Sequence, residues 1–198
     1  GDVEAFETLF SKAKKMGVKL DTDVHARAGY VEAFVNAGDE EGAQAIAQGM
    51  LNSWKAGRLH GRPLTHTWNL LIQQRALDRD LVGSRERYKE MVENDIPLDS
   101  WTYSSLMRAL VEVKQTNAAY KLLRVTMPEQ GLQVHALHYA IVMIGFVRER
   151  QYTQAVHAYE RMMERQVYQT ESSRQASIQV LGSADLQRLE KKGAKHPN

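Results

Sequence analysis

The stretch Thr65–Gln74, "THTWNLLIQQ", sets a large aromatic residue, Trp68, three and four positions ahead of an apolar pair, Leu71 and Ile72. That is the i, i+3, i+4 spacing of one buried helix face. The same order returns in "SWTYSSLMRAL" as Tyr103, Leu106 and Met107, and in "ALHYAIVMIGF" as Tyr139, Val142 and Met143. Trp68 and Tyr103 are 35 residues apart, Tyr103 and Tyr139 are 36 apart, and Tyr30, Val31 and Phe34 give a fainter copy upstream. No segment alternates β-branched residues between turn signals, so strands are not expected.

Each of these helices is followed by a second one. "SRERYKEMVENDIPLD" carries Tyr88 and Met91, and "TQAVHAYERMMERQVYQT" carries Ala155, Tyr159 and Met162. Their ends align as Asp95–Asp99, Gly131–His135 and Gln166–Thr170. Pro97 cannot donate to a continuing helix and Gly131 suits a left-handed cap, so both mark helix stops. Neither helix of such a pair buries its apolar stripe alone, so successive pairs must stack.

The expected fold is therefore all-α: an α-solenoid of stacked helix-turn-helix repeats over residues 1–181. Its units are a half-unit at 1–21, full units at 24–64, 65–99, 100–135 and 136–170, and a half-unit at 171–181. A short helix and tail over 182–198 follow. In the first half-unit Leu9 and Phe10 face inward and Gly17 is the stop, and the second unit turns at Ala37-Gly38-Asp39. "LNSWKAGRLHGRPL", Leu51–Leu64, reads as an extended basic loop. Beginning on a half-unit fits a piece of a longer array.

Composition narrows the function. Of 198 residues, 43% are hydrophobic and 25% charged, an ordinary balance for a folded chain, and no apolar run approaches the length of a membrane span. The absence of cysteine excludes disulfides, thiolate metal sites and cysteine nucleophiles. A net charge of +2 permits a nucleic-acid partner without requiring one. Basic residues gather at Lys55, Arg58, Arg62, Arg75, Arg79, Arg85, Arg87 and Lys89, opposed within that window by Asp78, Asp80 and Glu86. The run is either a solvated face or an anion-facing strip. His135 and His138 lie three apart without an acidic neighbour, so capping or surface roles are expected rather than a metal site. There is no phosphate-cradling glycine loop and no serine elbow. No cofactor and no enzymatic activity are expected.

The helix starts "THTWNLLI", "SWTYSSLM" and "ALHYAIVM", the "YKEM" and "YERM" second helices, and the closings "DIPLD" and "GLQVH" together resemble the pentatricopeptide repeat family. Tetratricopeptide repeats place a small residue where Ile72, Met107 and Met143 stand, and their period is nearer 34. The resemblance implies a right-handed superhelix whose first helices line a groove for single-stranded RNA, one base per unit.

Carried across position by position, the resemblance makes Asn69 with Asp99 a uracil-preferring base-reading pair. Ser104 with His135 is a polar pair without a familiar preference. Ala28 with Leu64 and Ala140 with Thr170 lack a polar first reader. Base-sandwiching positions fall on His25, His66, Trp101 and Leu137. A phosphate-facing position falls on Asn36, Leu77, Glu112 and Arg148, where Arg148 alone is basic. The implied function is a non-enzymatic RNA-binding module in organellar, specifically mitochondrial, RNA metabolism or translation. The alternative is a protein-binding scaffold that meets mitochondrial ribosomal or translational-activator proteins.

Overall fold

The apolar face written by Trp68, Leu71 and Ile72 is buried, and so are its copies at Tyr103, Leu106 and Met107 and at Tyr139, Val142 and Met143. The structure, a computed structural model, describes residues 3–16, 24–59, 63–167, 174–175, 177–178 and 182. The described residues form α1 (Val3–Lys15), α2 (Val24–Ala37), α3 (Glu40–Lys55), α4 (Pro63–Leu77), α5 (Leu81–Glu93) and α6 (Ser100–Glu112). α7 (Thr116–Lys121) runs through a π-helical segment, Leu122–Thr126, into a last turn, α8 (Met127–Glu129). α9 (Ala136–Arg148) and α10 (Tyr152–Glu164) complete them, and no strand occurs among the described residues. The all-α expectation holds.

The chain divides into two compact units, Gly1–Thr102 and Tyr103–Asn198. In the first, α2 packs on α3 and α4, and α4 packs on α5. Trp68 closes the last pair from within: its indole Nε1 donates to Glu90 of α5 at 3.1 Å. In the second, α9 packs on α10 and α7. There Tyr103 donates its hydroxyl to Gln130 at 2.5 Å, tying α6 to the end of its partner helix. Met50 and Met91 fill the first unit, and Met107, Met143 and Met162 the second, all fully buried. Burial also pushes the Tyr139 phenol above its ordinary pKa, against the opposing charge of Arg165.

The repeat is also written in the backbone. Gly38, Arg79, Lys114 and Arg150 end the first helices, and Gly57, Asp95, Gly131 and Gln166 end the second, all at φ between 52° and 75°. At each, the following N–H reaches back to the fifth carbonyl behind it, as Asp80 does to Arg75 at 2.9 Å and Gln151 to Phe146 at 2.8 Å. These are left-handed caps, satisfying carbonyls that a helix end otherwise leaves bare. Glycine occupies three of the eight, and the other five hold larger side chains in a conformation that costs them about 1–2 kcal/mol.

Helix starts use different devices. Asp39 and Asp80 accept from the N–H of Gly42 and Gly83 at 2.9 and 2.8 Å, opening α3 and α5. The Thr116 N–H of α7 is instead met by Glu149 at 3.1 Å. Within the second helix of residues 100–135, Pro128 has no N–H for Arg124 and its ring would strike that carbonyl. The π segment just before it absorbs the conflict, with Met127 N–H bonding to Leu122.

One expectation is corrected. The stretch Leu51–Leu64 is not an extended loop: α3 continues to Lys55 and α4 begins at Pro63. Gly57 supplies a left-handed stop, and Pro63 fits a first helical position where its missing N–H is no loss. Gly17 and Thr170, the side chains of Leu9, Phe10 and His25, and most of the expected half-unit 171–181 and tail lie outside the described residues.

Candidate nucleic-acid interface

Asn69 stands on α4, one residue past the aromatic Trp68, and is 8% exposed. Its side-chain nitrogen Nδ2 donates to Asp99 Oδ1 at 3.0 Å. Only the nitrogen of an amide can donate to a carboxylate, so Asp99 fixes which way the Asn69 amide is turned. The two residues implied as a base-reading pair are thus in direct contact, 30 residues apart in the chain.

Asp99 has a second task at the start of α6. The same Oδ1 accepts from the backbone N–H of Thr102 at 2.9 Å and from its hydroxyl at 3.1 Å. In return, Thr102 Oγ1 accepts from the Asp99 N–H at 3.2 Å. This is a reciprocal capping arrangement with threonine in the place of the usual Glu or Gln. Thr65, near the start of α4, donates its hydroxyl to the Pro97 carbonyl at 2.7 Å and holds the approach to the same corner. Trp101, the second residue of α6, is 62% exposed, and His66 on α4 is exposed as well.

The remaining implied readers differ. Ser104 is buried at 3% exposure, and Ala28 and Ala140 are buried too, leaving no polar side chain at the last two positions. His135 is exposed and starts α9, where its N–H donates to His138 Nδ1 at 2.9 Å and the two rings stack at 5.6 Å. That contact assigns His138 the tautomer with hydrogen on Nε2. The histidine pair is therefore a helix-start device in the register of Asp99 and Thr102. Among the described residues no group of three His, Asp or Glu side chains is placed to hold a metal ion.

Arg148, the basic residue at the implied phosphate position, is exposed but engaged. Its guanidinium lies 2.6 Å from Glu112, which occupies the same position in the preceding repeat. Leu77 is exposed at that position in the repeat before. The basic run upstream is likewise partly answered. Arg75 pairs with Asp80 at 3.0 Å and with Glu40, Arg87 with Glu90 at 2.7 Å, and Lys89 with Glu93 at 3.3 Å. Glu40 lies upstream of the run and Glu90 and Glu93 just past its end, so the run is a solvated, partly paired face rather than an uninterrupted anion strip. Sequence reasoning also missed Thr102, whose signal was the aspartate three residues before it.

No protein-family model and no curated protein matches the sequence. Solved structures do. The chain is similar to the PPR domain of Arabidopsis thaliana protein-only RNase P 1, solved with tRNA, at a TM-score of 0.58 and 17% identity over 83% of each chain. It is also similar to the pentatricopeptide repeat protein PPR10 in complex with an 18-nt psaJ RNA element, at a TM-score of 0.66 and 14% identity. That match covers 98% of this chain and 28% of PPR10, and PPR10 from maize gives 0.58 over 98% and 30%. The fold is that of a pentatricopeptide-type helical repeat.

Proposed function

We propose that this chain is a non-enzymatic module that binds single-stranded RNA, with Asn69 and Asp99 reading a uracil, in mitochondrial RNA metabolism or translation. The observation that carries the reading is the 3.0 Å bond from Asn69 to Asp99 beside the exposed Trp101. With Nδ2 turned to Asp99, Asn69 Oδ1 is set as the amide's acceptor; it is buried in this structure, so a base must uncover it to be read. Uracil offers an N3–H between two carbonyls, whereas cytosine N3 is itself an acceptor, so a fixed amide discriminates between them. Trp101 supplies a flat apolar face on which a base stacks, a contact of about 1–3 kcal/mol. The structures solved with tRNA and with psaJ RNA support the reading by fold, and the mitochondrial setting follows from the family resemblance.

The test is equilibrium binding of U-rich and scrambled single strands at near-physiological salt. Tighter binding of the U-rich strand is expected. Equal and negligible binding of both by a chain verified as folded would sink the reading.

One observation favours a second reading, a scaffold for mitochondrial ribosomal or translational-activator proteins. The ion pair between Arg148 and Glu112 neutralises the basic residue at the implied phosphate position, and phosphate contacts supply most non-specific affinity. Protein rather than RNA mapped onto Asn69 and Trp101 in a native assembly would decide for it.

A further inference from the structure

We propose that Thr102 is the positioning residue for this site: it holds Asp99 in the rotamer that fixes the Asn69 amide, and so sets the preference for uracil over cytosine. The inference rests on the base-reading role proposed for Asn69 and Asp99.

Three donors converge on one oxygen. Asp99 Oδ1 accepts from Asn69 Nδ2 at 3.0 Å, Thr102 N at 2.9 Å and Thr102 Oγ1 at 3.1 Å. The last two come from a residue that is fully buried and lies on the first turn of α6, so their position is set by the helix. The Thr102 hydroxyl is committed in both directions, because it also accepts from the Asp99 N–H at 3.2 Å. A short ring of bonds therefore defines where Oδ1 sits before Asn69 meets it. An aspartate lacking that ring can swing about its side-chain bonds and offer either oxygen. The Asn69 amide then loses its single orientation, and with it the ability to tell an N3–H from a bare N3.

The site is thus wider than two readers. An isosteric loss of the hydroxyl, Thr102→Val, leaves the backbone N–H on Oδ1 and the helix cap largely in place, yet removes both hydroxyl bonds to Asp99 and so loosens the carboxylate's rotamer. Thr102→Ser keeps the hydroxyl and should keep the effect. A residue that merely supports the fold would lower affinity for every strand alike; a positioning residue changes the ratio between strands.

The experiment uses the 198-residue chain, as wild type, Thr102→Val and Thr102→Ser. Each is titrated with two labelled single strands that differ only in carrying uracil or cytosine throughout, at low salt, with thermal melts to confirm folding. The expected result is a uracil preference in the wild type, reduced on the order of tenfold in Thr102→Val and retained in Thr102→Ser. A wild-type preference that Thr102→Val retains, or loses only in step with overall affinity, overturns the role of Thr102 and leaves the base-reading pair standing. A folded wild type without uracil preference overturns the base-reading pair itself, and the role of Thr102 with it.

Discussion

Asp99 Oδ1 lies 3.0 Å from the Asn69 amide nitrogen of α4 and 2.9 Å from the Thr102 N–H of α6. One oxygen therefore serves as a helix cap and as the clamp on the residue implied to read a base. The two tasks separate by mutation. Asp99→Ala loses the cap as well as the clamp and should destabilise by about 1–2 kcal/mol. Asn69→Ala leaves the cap intact and should destabilise by roughly 1 kcal/mol. The double variant, measured by urea unfolding, should fall short of additivity by about 0.5–1.5 kcal/mol; strict additivity would show that the bond contributes nothing in solution.

The backbone makes a different kind of prediction. Arg150 holds φ at 59° to end α9, and Gly131 holds 67° with open space where a Cβ would project. Arg150→Gly relieves the left-handed strain, offset in part by glycine's greater freedom in the unfolded chain and by the lost cation at a helix end. A net gain of about 0.5–1 kcal/mol, or roughly 1–4 °C in Tm, is expected. Gly131→Ala should do the reverse by a similar amount. Matching shifts of the same sign in both variants would contradict this.

How far the sequence shows all this depends on what each residue leaves behind. Trp68, Tyr103 and Tyr139 were legible because burying an aromatic at a fixed repeat position forces a large apolar residue there, whatever else varies. Gly38 and Gly131 were legible as a turn and a stop because glycine takes positive φ without a Cβ penalty; Gly57, which does the same, was hidden in the stretch read as a loop. Arg79, Asp95, Lys114, Arg150 and Gln166 do the same job at positive φ, yet no residue type announces it, since larger side chains tolerate the strain when the fold around them holds it. The stretch Leu51–Leu64 misled because two glycines, a proline and three basic residues look like a loop, whereas α3 and α4 occupy both of its ends.

The candidate site was half legible. The contact of Asn69 with Asp99 follows from the register of the repeat, and the structure places them in hydrogen-bond contact. The pairing of Arg148 with Glu112 was available as two residues at one repeat position, but a charge seen alone in sequence reads as free. Thr102 went unread because Asp99 was assigned one role, and a carboxylate oxygen has room for several donors.

That ion pair yields a salt-dependence prediction. Glu112→Gln removes the charge that answers Arg148 and should leave the guanidinium available to phosphate. The slope of log affinity for a single strand against log salt should steepen by about 0.7. Arg148→Ala in the otherwise unchanged chain should alter it little. An unchanged slope in Glu112→Gln would place Arg148 away from any bound RNA backbone.

Tyr139 predicts a pH effect. Its phenol is raised above the usual value, chiefly by burial, with Arg165 acting against the rise. Unfolded tyrosine titrates near pH 10. Above that value the unfolded chain gives up a proton that the folded chain still holds, so stability is full below about pH 10 and falls as pH increases. Urea midpoints followed from pH 9 to 11 should decline less steeply in Tyr139→Phe than in the wild type. Parallel declines would contradict the assignment.

The most direct measurement is photo-crosslinking of a single strand carrying 4-thiouridine to the folded chain, with the attached peptide identified by mass spectrometry. Attachment at Trp101 or His66, lost on competition with unlabelled U-rich strand and weakened in Asn69→Ala, is the predicted result. Attachment confined to α5, α7 or α10, or no competable attachment in a chain shown to be folded, would contradict a base seated at Asn69 and Asp99.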